Sequence, residues 1–197
     1  MPKYIVLDKD TIKNEIMPYL SVAKRGYVSQ GSLIEVVNAI LHKLKSGCQW
    51  HQLPVEHLFG DVVLSWNAVY HHFRKWCRLG EWQSMFAVLV RKYKDRLDMS
   101  VTHIDGSHTP ALKGGESHEI IANVCPNPRN GEPAEDYLFD DELYKERFVI
   151  ERTNAWMDGF RSILTRFDTT VSSWKGWNYL AFAVVFLKKI HKSQKFK

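Results

Sequence analysis

The stretch from Ser65 to Gly80 limits the fold more than any other part of the chain. Trp66, Val69, Tyr70, Phe73, Trp76 and Cys77 recur there at intervals of three or four residues or sit side by side. A helix gathers such positions on one face, because it turns once in about 3.6 residues. A strand would scatter them over both faces, since its side chains alternate. Ser65 suits a helix N-cap and Gly80 a helix stop, so the spacing predicts one helix between them. So large an aromatic stripe has to be covered, and the rest of the chain must supply partners for it.

Two candidates flank it. Ser32 opens a run with Glu35 three residues later, a capping-box spacing. Leu33, Val36, Val37, Ile40, Leu41 and Leu44 then follow at helical spacing and Gly47 ends the run. A connector containing Trp50 and Pro54 leads to the aromatic helix, and a third helix is predicted from about Glu81 to Arg96. These segments predict a helical domain over residues 1–98.

The pattern changes at Val101. VTHIDGSHTP alternates and then breaks at Gly106 and Pro110, which reads as a strand entering a turn. Ile120 to Cys125 reads as a second short strand. Residues 126–136 hold three prolines and a glycine and read as a loop. Asp140 or Asp141 would cap a long helix carrying Tyr144, Arg147 and Glu151. A last helix, from about Gly176 to His191, is apolar along most of its length and ends in lysines. The expected class is α/β and helix-rich, with a second domain over residues 99–197.

Charge is distributed unevenly. Residues 1–100 hold 14 Lys+Arg against 9 Asp+Glu, residues 101–169 hold 7 against 13, and residues 170–197 hold 6 against none. Basic ends suit a polyanion and an acidic middle suits divalent cations, although solvated surfaces can show the same pattern. Cys48, Cys77 and Cys125 are widely spaced and odd in number, which suggests neither a disulfide framework nor a zinc site. Free thiols suit a reducing cytoplasm. The longest apolar run, Tyr179 to Leu187, is nine residues, against the roughly 20 of a membrane span. A soluble chain, with no membrane partner and located in the cytoplasm with the nucleoid, is expected.

The polar face of the aromatic helix carries Asn67, His71, Arg74, Lys75 and Arg78. Between Ser65 and Arg96 there are seven Lys+Arg and two acidic residues, so this hairpin holds the basic excess of the N-terminal half. Arg can read guanine edges, Asn can read adenine and Lys can grip phosphate. Three helices, one of them basic, resemble a helix-turn-helix DNA-binding domain. The adjacent His71 and His72 point about 100° apart on a helix and make a poor metal site.

In the C-terminal half, Asp105 closes a predicted strand and can project toward a metal, although a D-G dipeptide is also a common turn. Tyr144, Arg147 and Glu151 share one helix face at i, i+3 and i+7. A carboxylate beside Arg and Tyr could hold Mg²⁺ near a phosphate, or could belong to a surface charge network. His103, Asp105 and His108 could alternatively serve a metal hydrolase, but no further ligand cluster accompanies them.

Three blocks resemble one family. HIDGSHTP, then LYKERFVIERTNAW with its Y-x2-R-x3-E spacing, then FRSILTRFDTTVSSWKGWNYLAF, are similar to bacterial insertion-sequence transposases of the DDE type. So is RGYVSQGSLIEVVNAILHKLKSGCQWHQLP with SWNAVYHHFRKWCRLGEW. The resemblance runs from about Tyr19 to Ile190. It implies an RNase H-like catalytic domain and three acids that hold two divalent metals, Mg²⁺ or Mn²⁺, for attack on a phosphodiester. Asp105 matches the first acid and Glu151 the third. Tyr144 and Arg147 match the signature residues before that glutamate, and Asp158 stands where the pattern has a lysine. The second acid has no counterpart: the segment expected to hold it, near Glu116–His118, is absent, as though deleted. Asp136, Asp140 and Asp141 lie in the loop or on the long helix rather than at a sheet centre. The resemblance therefore implies a transposase that binds the terminal inverted repeats of its element, as a homo-oligomer or with intact transposase, and whose strand cleavage is lost. A non-catalytic DNA-binding regulator, or an inhibitor of transposition, is the alternative.

Overall fold

The structure is a computed structural model that describes residues 6–22, 31–96 and 153–194. Four long helices organise it: α1 (Leu33–Ser46), α2 (Trp66–Arg78), α3 (Glu81–Lys92) and α4 (Val171–Gln194). The described residues are helix-rich and contain no strand. Both strands expected between residues 101 and 125 lie outside the described residues, as do the loop and long helix expected over residues 126–151.

The helix ends follow the local chemistry. Ser65 caps α2 by accepting the Ala68 N–H at 3.3 Å. Gly80 at φ 68° then turns the chain between α2 and α3. Ser32 occupies the N-cap of α1 but makes no side-chain cap bond. The capping box expected there does not form, and Glu35 lies instead 3.8 Å from Lys9. Gly47 ends α1 at φ 68°, and a side chain there would stand 2.7 Å from Arg161 Cβ. Positive φ and close approach both select glycine at that position. The third helix stops at Lys92, and residues Lys94–Arg96 form a single 3₁₀ turn.

The main departure from expectation concerns α4. It begins at Val171, five residues before the Gly176 expected from its apolar run. Thr170 caps it, accepting the Ser173 N–H through Oγ1 at 3.3 Å. The apolar face of α4 is buried. Trp177, Leu180, Ala181, Ala183, Val184 and Leu187 have no exposed surface. α4 packs on α2 and α3, so residues 153–194 and the N-terminal helices share one hydrophobic core.

Aromatic rings form the centre of that core. Trp177 stacks on Phe73 with ring centroids 4.0 Å apart. Trp50 lies over Tyr70 at 5.0 Å and near Trp177 at 5.9 Å. Trp76 meets Trp82 edge-on at 5.5 Å. Val69, Phe73, Trp76 and Cys77 of the predicted stripe are buried, whereas Trp66 at its end is 40% exposed. Gly176 brings α4 close to α2: a methyl group there would run into Cys77 Sγ and stand 3.2 Å from Trp82 Cδ1.

Two peripheral segments are tied on by polar bonds. Buried Glu15 accepts from Lys92 Nζ at 2.8 Å through both oxygens and from Tyr93 Oη at 3.0 Å. The bond to Glu15 holds the Lys92 pKa above its ordinary value. Residues 153–158 are helical. They lead into a short turn, Arg161–Leu164, that lies against α1. There Ser162 Oγ donates to the Lys43 carbonyl at 2.8 Å and Lys45 Nζ donates to the Gly159 carbonyl at 2.6 Å.

Candidate nucleic-acid interface

Burial of the Val69, Phe73 and Trp76 face of α2 turns the opposite face to solvent. Asn67, His71, Arg74 and Arg78 are all exposed and lie at i, i+4, i+7 and i+11, a single row along the helix. The Arg74 guanidinium rests 5.6 Å from the Tyr70 ring centre, which holds the side chain along the helix surface. Arg91, Lys94 and Arg96 are exposed on and beyond α3.

Lys75 sits apart from that row. It is half-buried, and its Nζ donates to the Ser21 carbonyl at 3.1 Å. Trp76 Nε1 donates to the same oxygen at 3.1 Å, and Glu81 accepts the Ser21 N–H at 2.9 Å. The lysine that reads from sequence as a phosphate grip thus clamps the N-terminal segment onto α2 and α3. His72 is half-buried against Trp76. Burial, reinforced by the nearby charges of Lys75 and His71, lowers its pKa below the ordinary histidine value. No group of three His, Cys, Asp or Glu side chains suited to a metal ion occurs among the described residues.

Asp105, Tyr144, Arg147 and Glu151 lie outside the described residues, as do His103, His108, Asp136, Asp140 and Asp141. Asp158, at the position where the pattern has a lysine, is described and exposed.

Sequence reasoning missed Lys43. Its side chain lies in the core, with 1% of its surface exposed. Nζ stands 5.0 Å from the ring centres of both Trp50 and Trp177. Burial pushes its pKa below the ordinary lysine value, and Asp168 and Cys48 act against that. The Asp168 carboxylate accepts from Trp177 Nε1 at 2.7 Å. Lys43 could have been noticed in sequence. It lies seven residues after Val36 and three after Ile40, on the apolar side of its helix, where a lysine is out of place. Lys43, Trp50, Arg74 and Asp168 line a cavity of about 350 Å³ that opens beside the exposed row of α2.

The N-terminal helices also match known sequences. Residues 14–86 match the family described as "Putative transposase of IS4/5 family". Over 94 residues the chain is 30% identical to the "Insertion element IS402 uncharacterized 16.2 kDa protein" of Burkholderia cepacia. That alignment covers 47% of this chain and 61% of the relative, so the chain spans less than two thirds of the relative's length. No solved structure matches. No described helix is long and apolar enough to cross a membrane.

Proposed function

We propose that the chain is a DNA-binding protein of the insertion-sequence transposase lineage, with α2 as the helix that enters the major groove. One observation carries this reading. The exposed row Asn67, His71, Arg74 and Arg78 falls inside the stretch that matches the IS4/5 transposase family. The packing of α1 on α2 suits a helix-turn-helix-like arrangement in which α2 is the recognition helix. Arg74 and Arg78 would meet guanine edges or phosphates and Asn67 an adenine. Lys75 is left out, because its ammonium is spent on Ser21.

The same reading makes residues 99–197 a remnant of an RNase H-like catalytic domain, of which residues 153–194 share the core of the N-terminal helices. Mg²⁺ or Mn²⁺ on Asp105 and Glu151 would activate an oxygen for attack on a phosphodiester. Two carboxylates are one short of the set that the resemblance implies, and a missing ligand leaves a metal displaced. A misplacement of about 1 Å can cost on the order of 100-fold in rate. The chain therefore binds element ends without cutting them, alone or together with intact transposase.

The test is fluorescence anisotropy with a duplex carrying the inverted repeats that flank the coding region. Affinity should fall steeply with salt, as phosphate contacts release counterions. Arg74→Ala and Arg78→Ala should each lower the salt slope by about 1 if they contact phosphate, or cost about 1–3 kcal/mol if they read a base. Unchanged affinity in Asn67→Ala/Arg74→Ala/Arg78→Ala would remove α2 from the interface. Nicking of a supercoiled plasmid in Mn²⁺ that is lost in Asp105→Ala would overturn the non-catalytic part.

A further inference from the structure

The Lys43 amine lies in the core, and its Nζ has no hydrogen-bond partner among the described residues. An ammonium has three donors, and leaving them without acceptors in a low-dielectric interior is costly. The indole faces of Trp50 and Trp177 offer the cation an electrostatic partner at 5.0 Å each but no lone pair. Asp168 is near enough to act on the charge, yet it forms no ion pair with Lys43, and its Oδ2 is engaged by Trp177. Lys43 lines the cavity that opens beside α2.

Two further sources of positive potential meet there. Arg74 lines the same cavity. So do Thr170, which caps the 24-residue helix α4, and Ser173 in its first turn. The N-terminus of a long helix carries roughly half a positive charge and favours anions. Counting side chains, Lys43 and Arg74 face one carboxylate, Asp168. With Lys43 protonated, these three side chains leave one positive charge. A cavity of about 350 Å³ is much larger than the roughly 30 Å³ of one water, so it has room for an anion and the group that bears it.

We propose that this cavity is a binding site for a phosphate group, held by the Lys43 ammonium, the Arg74 guanidinium and the start of α4. A phosphate oxygen supplies the acceptor that Lys43 lacks. A phosphodiester carries the single negative charge that balances the site. Trp50 and Tyr70 wall the cavity with flat apolar surface, which suits the sugar or base next to a phosphate.

The experiment is a titration of the full chain with inorganic phosphate at constant ionic strength, read by tryptophan fluorescence, since Trp50 and Trp66 line the cavity. Saturable binding is expected in the wild type, weakened at least 10-fold in Lys43→Met and several-fold in Arg74→Gln. Arg78→Ala does not touch the cavity and should bind phosphate as the wild type does, whatever it does to duplex binding. That variant separates this site from groove reading by α2. Repeating the titration on the duplex complex distinguishes the source of the phosphate. Loss of the response places a DNA phosphate in the cavity, and its persistence assigns the cavity to a free phosphate or a mononucleotide. No saturable response in the wild type overturns the proposal, as does equal affinity in Lys43→Met. If Lys43→Met does not fold, as judged by circular dichroism, equal affinity in Arg74→Gln overturns it instead.

Discussion

α2 and α4 cross in the same core, yet they are built on opposite patterns. α2 is apolar on one side and carries Asn67, His71, Arg74 and Arg78 on the other, so half of it is left to solvent. α4 meets α2, α3 and the Arg161–Leu164 turn; Trp174, Trp177, Leu180, Ala181, Val184 and Leu187 form its buried face, and Tyr179, Val185 and Phe186 pack against the core on its flanks. A helix with one apolar stripe is held by one face and can present the other to a partner. A helix that is apolar around most of its girth has to sit between other elements. α4 is thus the strut against which the presenting helix is fixed, although the two are separated by about a hundred residues of chain.

The sharpest way to break that comparison is to remove one residue from each helix. Trp177 is fully buried, stacks on Phe73 and hydrogen-bonds Asp168. Trp177→Ala should cost about 3–5 kcal/mol by loss of transfer energy and creation of a cavity. Arg78→Ala, on the exposed row of α2, should change stability by about 0.5 kcal/mol or less. Urea unfolding followed by circular dichroism measures both. Equal effects would mean that α4 is not the strut.

Gly176 gives a smaller and more local test. Alanine is favoured over glycine by about 1 kcal/mol in a helix interior. Here the added methyl group would collide with Cys77 and crowd Trp82, and overpacking costs roughly 1–3 kcal/mol. Gly176→Ala should therefore destabilise the protein, against helix propensity. A gain in stability would show that α4 can slide away from α2 at no cost.

The two helices also differ in how much of them could be read from sequence. Ser65, Gly80 and the Val69–Phe73–Trp76–Cys77 stripe specify α2 within a residue or two, because caps and periodicity are local properties. Gly47 marks the end of α1 for the same reason. The start of α4 was missed because Val171, Ser172 and Ser173 lack the apolar run that marks the rest of it. Its docking was missed because no local pattern says which helix meets which. Trp66 read as core because it continues the stripe, but it lies on the first turn of α2, at the rim of a cavity. Lys75 read as a free cation, since nothing near it in sequence announces that the Ser21 carbonyl will reach it. The exposed row is legible from its residue types, but only the packed fold shows that it faces solvent.

The smallest effect concerns Lys43, which lies where α1, α2 and α4 meet, and its sign can be worked out in advance. Burial lowers its pKa in the folded state, while in the unfolded chain it titrates near the ordinary 10.5. Between the lowered value and 10.5 the unfolded chain holds the proton and the folded chain does not. Stability rises with pH wherever the unfolded state binds more protons. The stability lost by burying the charged lysine is therefore recovered as the pH climbs through that window. Lys92 acts in the opposite direction: its raised pKa gives stability that is present below 10.5 and is lost as the pH rises through the folded value. A single pH profile mixes the two, but the difference between wild type and Lys43→Met removes Lys92, which both proteins share. The methionine also keeps the length of the side chain and most of its packing. Urea unfolding of both proteins in phosphate-free buffers from neutral pH to about 10.5 should show stability shifting toward the wild type as the pH rises. A difference that stays constant over this range would mean that Lys43 keeps its proton throughout, with Asp168 and the two indoles compensating its charge in full.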